Sequence, residues 1–198
     1  GKLEEAEKCY TQAIALKPKY TEAHYNLGIT LEALGRLKAA QASYTQAIAL
    51  KPDLAEAHNN LGNTLKKQGR LEQAEESYMK AITLRPDFAQ AHNNLGATLR
   101  RLGRLKEAVE SLKQAITLKP DYPDAHFNLG NTHKDLAGFK EAEASLRQAI
   151  ALKPDFSEAH YNLGNLLMKI GKHREALKEK IEGNGIISFD IKSGLSIR

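Results

Sequence analysis

Apolar side chains recur at helical spacing along most of the chain, and this spacing predicts helices with one buried face. Residues 70–84 show the pattern clearly, with an apolar stripe formed by Leu71, Ala74, Tyr78, Ala81 and Ile82. The pattern returns every thirty-four residues, and each period is marked by a proline, at Pro18, Pro52, Pro86, Pro120 and Pro154. The chain is therefore predicted to be an array of repeats that bury their apolar faces against one another.

Each repeat is predicted to contain two helices joined by a turn. Glycine stands at the turn in four repeats, at Gly35, Gly69, Gly103 and Gly171. The remaining repeat has Ala137 there and Gly138 one residue later, which predicts a reshaped turn. First helices are predicted to begin with capping boxes, such as Asp53 with Glu56.

The array is predicted to occupy residues 1–182 and to consist of a half repeat followed by five repeats, the last of which is degenerate at its end. Their boundaries are 1–20, 21–54, 55–88, 89–122, 123–156 and 157–182. The opening half repeat supplies a second helix without its first, so we expect the chain to be a piece of a longer protein. In residues 183–198 apolar and polar residues alternate, which predicts a hairpin-like tail with a turn at Lys192, Ser193 and Gly194.

Small residues recur where two helices must approach closely. One set consists of Gly28, Gly62, Gly96, Gly130 and Gly164, and another of Ala40, Ala74, Ala108, Ala142 and Ala176. With the period and the prolines, these positions resemble the tetratricopeptide repeat (TPR) family. The resemblance implies an all-α fold, a right-handed α-solenoid of stacked helix–turn–helix repeats, in which the first helices line a concave surface that binds ligands.

One position of every first helix carries asparagine, at Asn26, Asn60, Asn94, Asn128 and Asn162. An amide both donates and accepts hydrogen bonds, so this asparagine ladder could hold the backbone of an extended peptide. The row resembles the asparagine ladder in the superhelical repeats of the O-linked N-acetylglucosamine transferases. The repeats themselves are similar to those of these enzymes and of related bacterial and archaeal TPR proteins. Alternatively, each asparagine bonds a backbone group of the adjacent repeat and stabilises the stack.

The resemblance also indicates which other residues would face a ligand. The variable groove positions are Tyr25, Ile29, Asn59, Asn63, Asn93, Ala97, Phe127, Asn131, Tyr161 and Asn165. Basic residues near the ends of the first helices form a stripe of Lys66, Lys67, Arg100, Arg101, Lys134 and Lys169, which favours acidic segments as partners. The alternative is that these bases only complement the helix dipole.

The histidines form another regular row, at His24, His58, His92, His126 and His160. Neighbouring helices lie roughly 10 Å apart, whereas each nitrogen ligand of a zinc ion must lie about 2 Å from the ion. The row is therefore predicted to consist of packed, hydrogen-bonded rings rather than shared metal ligands. No nucleophile and base set or phosphate-binding loop is recognisable. We expect a non-catalytic protein without cofactor.

Charge and composition indicate which classes of binding partner the chain could have. The net charge is +5, but 29 basic residues are interleaved with 24 acidic ones, which argues against nucleic acid. No signal peptide or membrane-spanning apolar run is present, and we expect a cytoplasmic location without membrane contact. The leading hypothesis is a scaffold that binds peptide segments of other proteins. Alternatives are the substrate-recruiting arm of a larger enzyme, such as a glycosyltransferase, and a module that self-associates through its open repeat ends or its tail.

Overall fold

The computed structural model describes residues 1–184, 187–190 and 194–197. Eleven helices and two strands make up this part of the chain. The helices are α1 (Lys2–Leu16), α2 (Thr21–Ala33), α3 (Leu37–Leu50), α4 (Ala55–Lys67), α5 (Leu71–Leu84), α6 (Ala89–Arg101), α7 (Leu105–Leu118), α8 (Pro123–Asp135), α9 (Phe139–Leu152), α10 (Ser157–Lys169) and α11 (His173–Asn184).

The chain divides into two compact units, Gly1–Gly103 and Arg104–Arg198. In the first unit each helix from α1 to α6 packs against the next, and the first helices α2, α4 and α6 also contact their neighbours. In the second unit α7 to α11 pack in the same sequential way, and α8 contacts α10. Both units have the helix-pair stacking of an all-α solenoid, as the repeat pattern predicts.

Small residues allow the close helix packing in both units. The repeated alanines at the centre of the second helices, such as Ala74 and Ala142, are fully buried. Gly62 lies so close to the buried Tyr78 ring that a Cβ atom on it would be 2.6 Å from Tyr78 Cε1. Glycine at this position therefore makes room for the largest side chain in its repeat.

The predicted reshaping of the fourth repeat's turn is wrong. Ala137 adopts a left-handed φ of 60°, close to the 73° of Gly35 at the equivalent turn. The Gly138 N–H donates to the His133 carbonyl at 2.9 Å, as the Arg36 N–H donates to the Leu31 carbonyl at 2.9 Å. The hydrogen bonds that close the helix end thus hold alanine in a conformation that glycine adopts more easily.

This conformation predicts that Ala137→Gly stabilises the protein by about 1 kcal/mol, because glycine relieves the left-handed strain. Chemical unfolding monitored by circular dichroism measures the change. The matched control is Gly69→Ala, which places alanine at a φ of 79° with open space around its Cβ and should lower the stability. If Ala137→Gly lowers the stability, the left-handed conformation of Ala137 is not strained.

The predicted capping boxes are also wrong. The N-cap residues of the first helices are apolar or aromatic and make no side-chain cap hydrogen bond, as at Leu54 and Phe88. Glu56 instead forms an ion pair with Arg85, with 2.5 Å between Oε1 and Nη1. The Arg85 guanidinium lies 3.5 Å from the centre of the Phe88 ring, and Lys153 lies similarly over Phe156 at 4.8 Å. Cation–π contacts and burial therefore fix these loops where caps were expected.

The two strands lie in the predicted tail. Strand β1 (Ile187–Asp190) pairs antiparallel with β2 (Gly194–Ile197), with Ile187 opposite Ile197. Lys192 and Ser193 of the predicted turn lie outside the described residues. Helix α11 extends to Asn184, past the predicted end of the array at residue 182. Among the described helices, none combines the length and apolar character that crossing a bilayer requires.

Candidate functional site

The asparagine ladder lies on the first helices of both units. In the first unit Asn26, Asn60 and Asn94 take equivalent half-buried places on α2, α4 and α6. In the second unit Asn128 and Asn162 do so on α8 and α10. A threonine hydroxyl one turn later bonds the backbone carbonyl of four ladder residues, through Thr30, Thr64, Thr98 and Thr132.

Asn60 and Asn94 bond side chains of the preceding repeat, and Asn59 bonds Asn60 within one repeat. Asn94 Nδ2 donates to Asn59 Oδ1 at 3.0 Å, Asn59 Nδ2 donates to Asn60 Oδ1 at 3.2 Å, and Asn60 Nδ2 donates to the Tyr25 hydroxyl at 3.1 Å. These partners are side chains, not the backbone groups that the stacking alternative named. An amide has two N–H donors and two lone pairs, so one asparagine can hold a neighbour and a ligand together.

Three of the predicted groove residues are buried: Asn59, Asn93 and Asn131. Asn131 Oδ1 accepts a hydrogen bond from Asn162 Nδ2 at 2.9 Å in the second unit, as Asn59 does from Asn94 in the first. Asn59 and Asn131 are thus placed to position a ladder residue. Other groove positions reach solvent: Tyr25, Asn63, Phe127 and Asn165 are half-buried and Tyr161 is exposed.

A cleft of about 350 Å³ opens beside the ladder in the first unit. We call it the Glu32 cleft, and it is lined by Ile29, Glu32, Ala33, Tyr44, Asn60, Asn63 and Lys67. Four of these, Ile29, Asn60, Asn63 and Lys67, belong to the groove, ladder and stripe positions predicted from the sequence. The Tyr78 hydroxyl donates to Asn63 Oδ1 at 2.8 Å and holds that amide at the edge of the cleft.

Glu32 also lines this cleft and was not identified as a site residue from the sequence. Its carboxylate accepts hydrogen bonds from the Tyr44 hydroxyl at 3.1 Å, the Thr64 hydroxyl at 3.3 Å and Lys67 Nζ at 2.8 Å. A signal was present, because the equivalent position of the following repeats is never acidic and holds Lys66, Arg100, Lys134 and Met168. Glu32 is the acidic residue at a position that is basic in the next three repeats, so the charge at this position changes sign after the first full repeat.

The two buried tyrosines of the first unit act as neutral hydrogen-bond donors. Burial raises the pKa of Tyr44, and the nearby Glu32 carboxylate raises it further. Burial and the same carboxylate also raise the pKa of Tyr78. Both hydroxyls therefore keep their protons across the physiological range and can donate to Glu32 and Asn63.

The basic residues of the first unit form a concentrated positive region. Burial lowers the pKa of Lys66, and the charges of Arg101 and Lys67 lower it further. Lys66 Nζ lies 5.9 Å from the centre of the Tyr78 ring. We call Lys66, Lys67 and Arg101 the basic cluster. Its mutual repulsion disfavours the charged state of Lys66, and a bound anion would relieve that repulsion. Arg100 is half-buried on α6, and Lys134 is half-buried on α8 in the second unit.

The second unit has its own cleft of about 440 Å³. We call it the Tyr161 cleft, and it is lined by Phe127, Ser157, Glu158, Tyr161, Asn162 and Gly183. Phe127 packs against Phe156, with 4.9 Å between the ring centres. A ladder asparagine thus lines an open cleft in each unit, with Asn60 in one and Asn162 in the other.

The histidine row is hydrogen-bonded, as predicted. Each ring Nε2 lies 2.9–3.0 Å from the carbonyl oxygen of the proline six residues earlier, for His24, His58, His92, His126 and His160. Because a carbonyl only accepts, Nε2 carries the proton. These bonds tie the start of each first helix to the loop before it.

Stacked helix–turn–helix repeats with a polar first-helix surface place the protein in the class of helical repeat proteins that present extended binding surfaces. Profiles described as TPR repeat match residues 1–35, 31–69, 98–136 and 139–171. Profiles described as tetratricopeptide repeat match residues 55–88 and 77–110. The chain belongs to the tetratricopeptide repeat family.

Solved structures of TPR proteins are similar to this chain. A thermophilic TPR protein of Thermus thermophilus is 29% identical, with a TM-score of 0.68, and the match covers 82% of this chain and 91% of that one. MamA is 25% identical, with a TM-score of 0.71 and coverage of 79% and 92%. YrrB, a TPR protein with an unusual peptide-binding site, is 22% identical, with a TM-score of 0.69 and coverage of 88% and 90%. No curated protein matches the chain. TPR proteins are generally non-catalytic scaffolds, and the family supports a role in protein–protein interaction.

Proposed function

We propose that this protein is a non-catalytic scaffold that binds extended segments of partner proteins along the first-helix surface of each unit. The observation that carries the proposal is the presence of a ladder asparagine in an open cleft of each unit, Asn60 in the Glu32 cleft and Asn162 in the Tyr161 cleft. In this proposal the ladder amides bond the peptide backbone, and the cleft side chains select among sequences.

The spacing of the ladder suits an extended chain. Neighbouring first helices are separated by roughly 10 Å, and an extended peptide advances about 3.3 Å per residue. Each ladder asparagine would then meet about every third residue of the peptide. Regularly spaced amide bonds of this kind hold a backbone of any sequence, and YrrB gives an example of peptide binding on the same fold.

The charge of the first unit points to acidic residues in the bound segment. Lys67 lines the Glu32 cleft together with Asn60 and pairs with Glu32. The charges of Lys67 and Arg101 act on the neighbouring Lys66. An acidic side chain placed between Lys66 and Arg101 would offset their repulsion, which bulk solvent screens poorly at a half-buried site. The proposal therefore names segments that combine an extended backbone with acidic side chains.

A peptide array tests the proposal. Immobilised peptides of diverse sequence are probed with the whole chain at low and at physiological ionic strength. We expect binding to extended segments enriched in Asp and Glu, and binding that weakens as salt rises. Failure to bind any peptide under either condition would contradict the proposal.

Lys66 offers a test that separates stability from binding. Because burial and neighbouring cations disfavour its charge, Lys66→Met should raise the free energy of unfolding and weaken the binding of acidic peptides several-fold. The matched control is Lys80→Met, at an exposed position on α5, which should change neither quantity appreciably. Denaturant unfolding and fluorescence anisotropy measure the two effects. A Lys66 variant that loses stability and binds acidic peptides normally would contradict a binding role for this lysine.

A further inference from the structure

The last repeat departs from the others at two positions of its second helix. Glu179 stands where the preceding repeats have serine, at Ser43, Ser77, Ser111 and Ser145. Glu182 stands where they have Gln46, Lys80, Gln114 and Gln148. The two carboxylates are three residues apart on α11, so they lie on one face of the helix.

Both carboxylates face His160, the member of the histidine row in the same repeat. His160 Nδ1 lies 2.7 Å from Glu179 Oε2 and 3.6 Å from Glu182 Oε2. His160 and Glu179 are buried, at 3% and 9% exposure, whereas Glu182 is exposed. Among the described residues, these three form the group of His, Cys, Asp or Glu whose ligand atoms all lie within 4.8 Å of one another.

The hydrogen bond of His160 Nε2 determines whether Nδ1 is a donor or an acceptor. His160 Nε2 donates its proton to the Pro154 carbonyl at 2.9 Å. In the neutral ring Nδ1 is then a lone pair, and it faces the Glu179 oxygen, which is also an acceptor. Two acceptors 2.7 Å apart in a buried place need a positive charge between them. A proton fits this separation as it stands. A metal ion, which lies about 2 Å from each ligand atom, would require the Glu179 carboxylate to move slightly away from the ring.

We propose that His160 Nδ1, Glu179 Oε2 and Glu182 Oε2 bind a divalent transition metal ion of the Zn²⁺ type. One imidazole and two carboxylates are a donor set that such ions accept. A histidine that donates its second N–H to a backbone carbonyl is the usual arrangement of a metal ligand. The two carboxylate charges balance the ion, and the exposed side of Glu182 leaves room for water in the remaining coordination position.

Two cations border the site: Arg147, and Lys178, whose Nζ lies 4.0 Å from Glu182 Oε1. Arg147 Nη1 lies 3.6 Å from Glu179 Oε1, the oxygen that faces away from His160, and Arg147 also pairs with Glu175 at 2.5 Å. Arg147 thereby orients the Glu179 carboxylate and leaves Oε2 for the ion. A bound ion would join α10 to α11 and stabilise the end of the array.

Zinc titration of the whole chain tests the site. Chain treated with EDTA and then freed of chelator is titrated calorimetrically with ZnCl₂ at neutral pH. We expect one ion per chain, and we expect Glu182→Gln to weaken its binding by about tenfold or more. The control is Glu76→Gln, an exposed acid on α5, which should leave zinc binding unchanged. Absence of stoichiometric binding, or equal binding by the Glu182 variant, would overturn the proposal and leave a proton between His160 and Glu179.

Amide hydrogen exchange locates the ion without relying on the variant's affinity. Zinc should slow exchange in α10 and α11 of the unmodified chain and leave α2 to α5 unchanged. Circular dichroism of the Glu182→Gln variant should show an intact helical fold, because Glu182 is exposed. Protection that falls elsewhere, for instance around the exposed His173, would overturn the assignment to His160.

Discussion

Replacing Gly62 by alanine is expected to destabilise the protein by about 2–3 kcal/mol. The new Cβ would lie 2.6 Å from Tyr78 Cε1 and 2.8 Å from Tyr78 Cδ1, distances that force the ring or the helix to move. Tyr78 cannot move easily, because it is fully buried and its hydroxyl is bonded to Asn63. The loss should exceed the roughly 1 kcal/mol that alanine gains over glycine inside a helix.

Gly164→Ala in the last repeat is the matched control. There the added Cβ would lie 2.8 Å from Lys180 Cγ, on a side chain with more freedom than the Tyr78 ring, and 3.2 Å from the Ala176 carbonyl oxygen. We expect a loss well below that of Gly62→Ala. Urea unfolding monitored by circular dichroism compares the two variants. Equal losses would show that the identity of the facing side chain does not set the effect.

A triple variant of the first unit, with Asn26, Asn60 and Asn94 replaced by alanine, is expected to weaken peptide binding by about 100-fold. Each amide that bonds the peptide contributes about 1 kcal/mol, and three such losses combine to about two powers of ten in affinity. The measurement is fluorescence anisotropy of a peptide selected from the array. An unchanged affinity would show that the ladder asparagines stabilise the stacking of the repeats and do not bind the peptide.

The structure also supplies the control for this variant. Asn60 donates to Tyr25 and Asn94 donates to Asn59, so the alanine changes remove stacking bonds as well. Tyr25→Phe removes the acceptor of the Asn60 bond and keeps the amide. Because Tyr25 is itself a groove position, we expect this variant to lose some stability and to weaken peptide binding far less than the triple variant does. A binding loss equal to that of the triple variant would assign the effect to the stack.

The periodicity of the chain was sufficient to predict its helices. Glycines and alanines spaced by the repeat length locate the close helix contacts, because no larger side chain fits there. The capping boxes failed because the aspartates precede apolar residues, the half-buried Leu54 and the buried Phe88, whose packing places them at the helix start. Local capping preferences are weaker than tertiary packing of this kind.

The candidate site was only partly predictable. The ladder positions were evident from their repetition, but asparagine alone does not show that Asn59 is buried while Asn60 lies in a cleft. Glu32 and Glu179 depart from the residue type of their repeat column, and such departures mark individual sites in an array. Their partners come from other helices, so spacing along the chain could not have paired them.

An ester scan of the bound peptide tests backbone recognition most directly. Each backbone amide of a selected peptide is replaced in turn by an ester, which removes one N–H donor, weakens one carbonyl acceptor and keeps every side chain. If the ladder amides hold the backbone, affinity should fall at about every third residue, and the triple variant should lose this pattern. If the ester replacements leave the affinity unchanged and only side-chain replacements lower it, the asparagines do not recognise the peptide backbone.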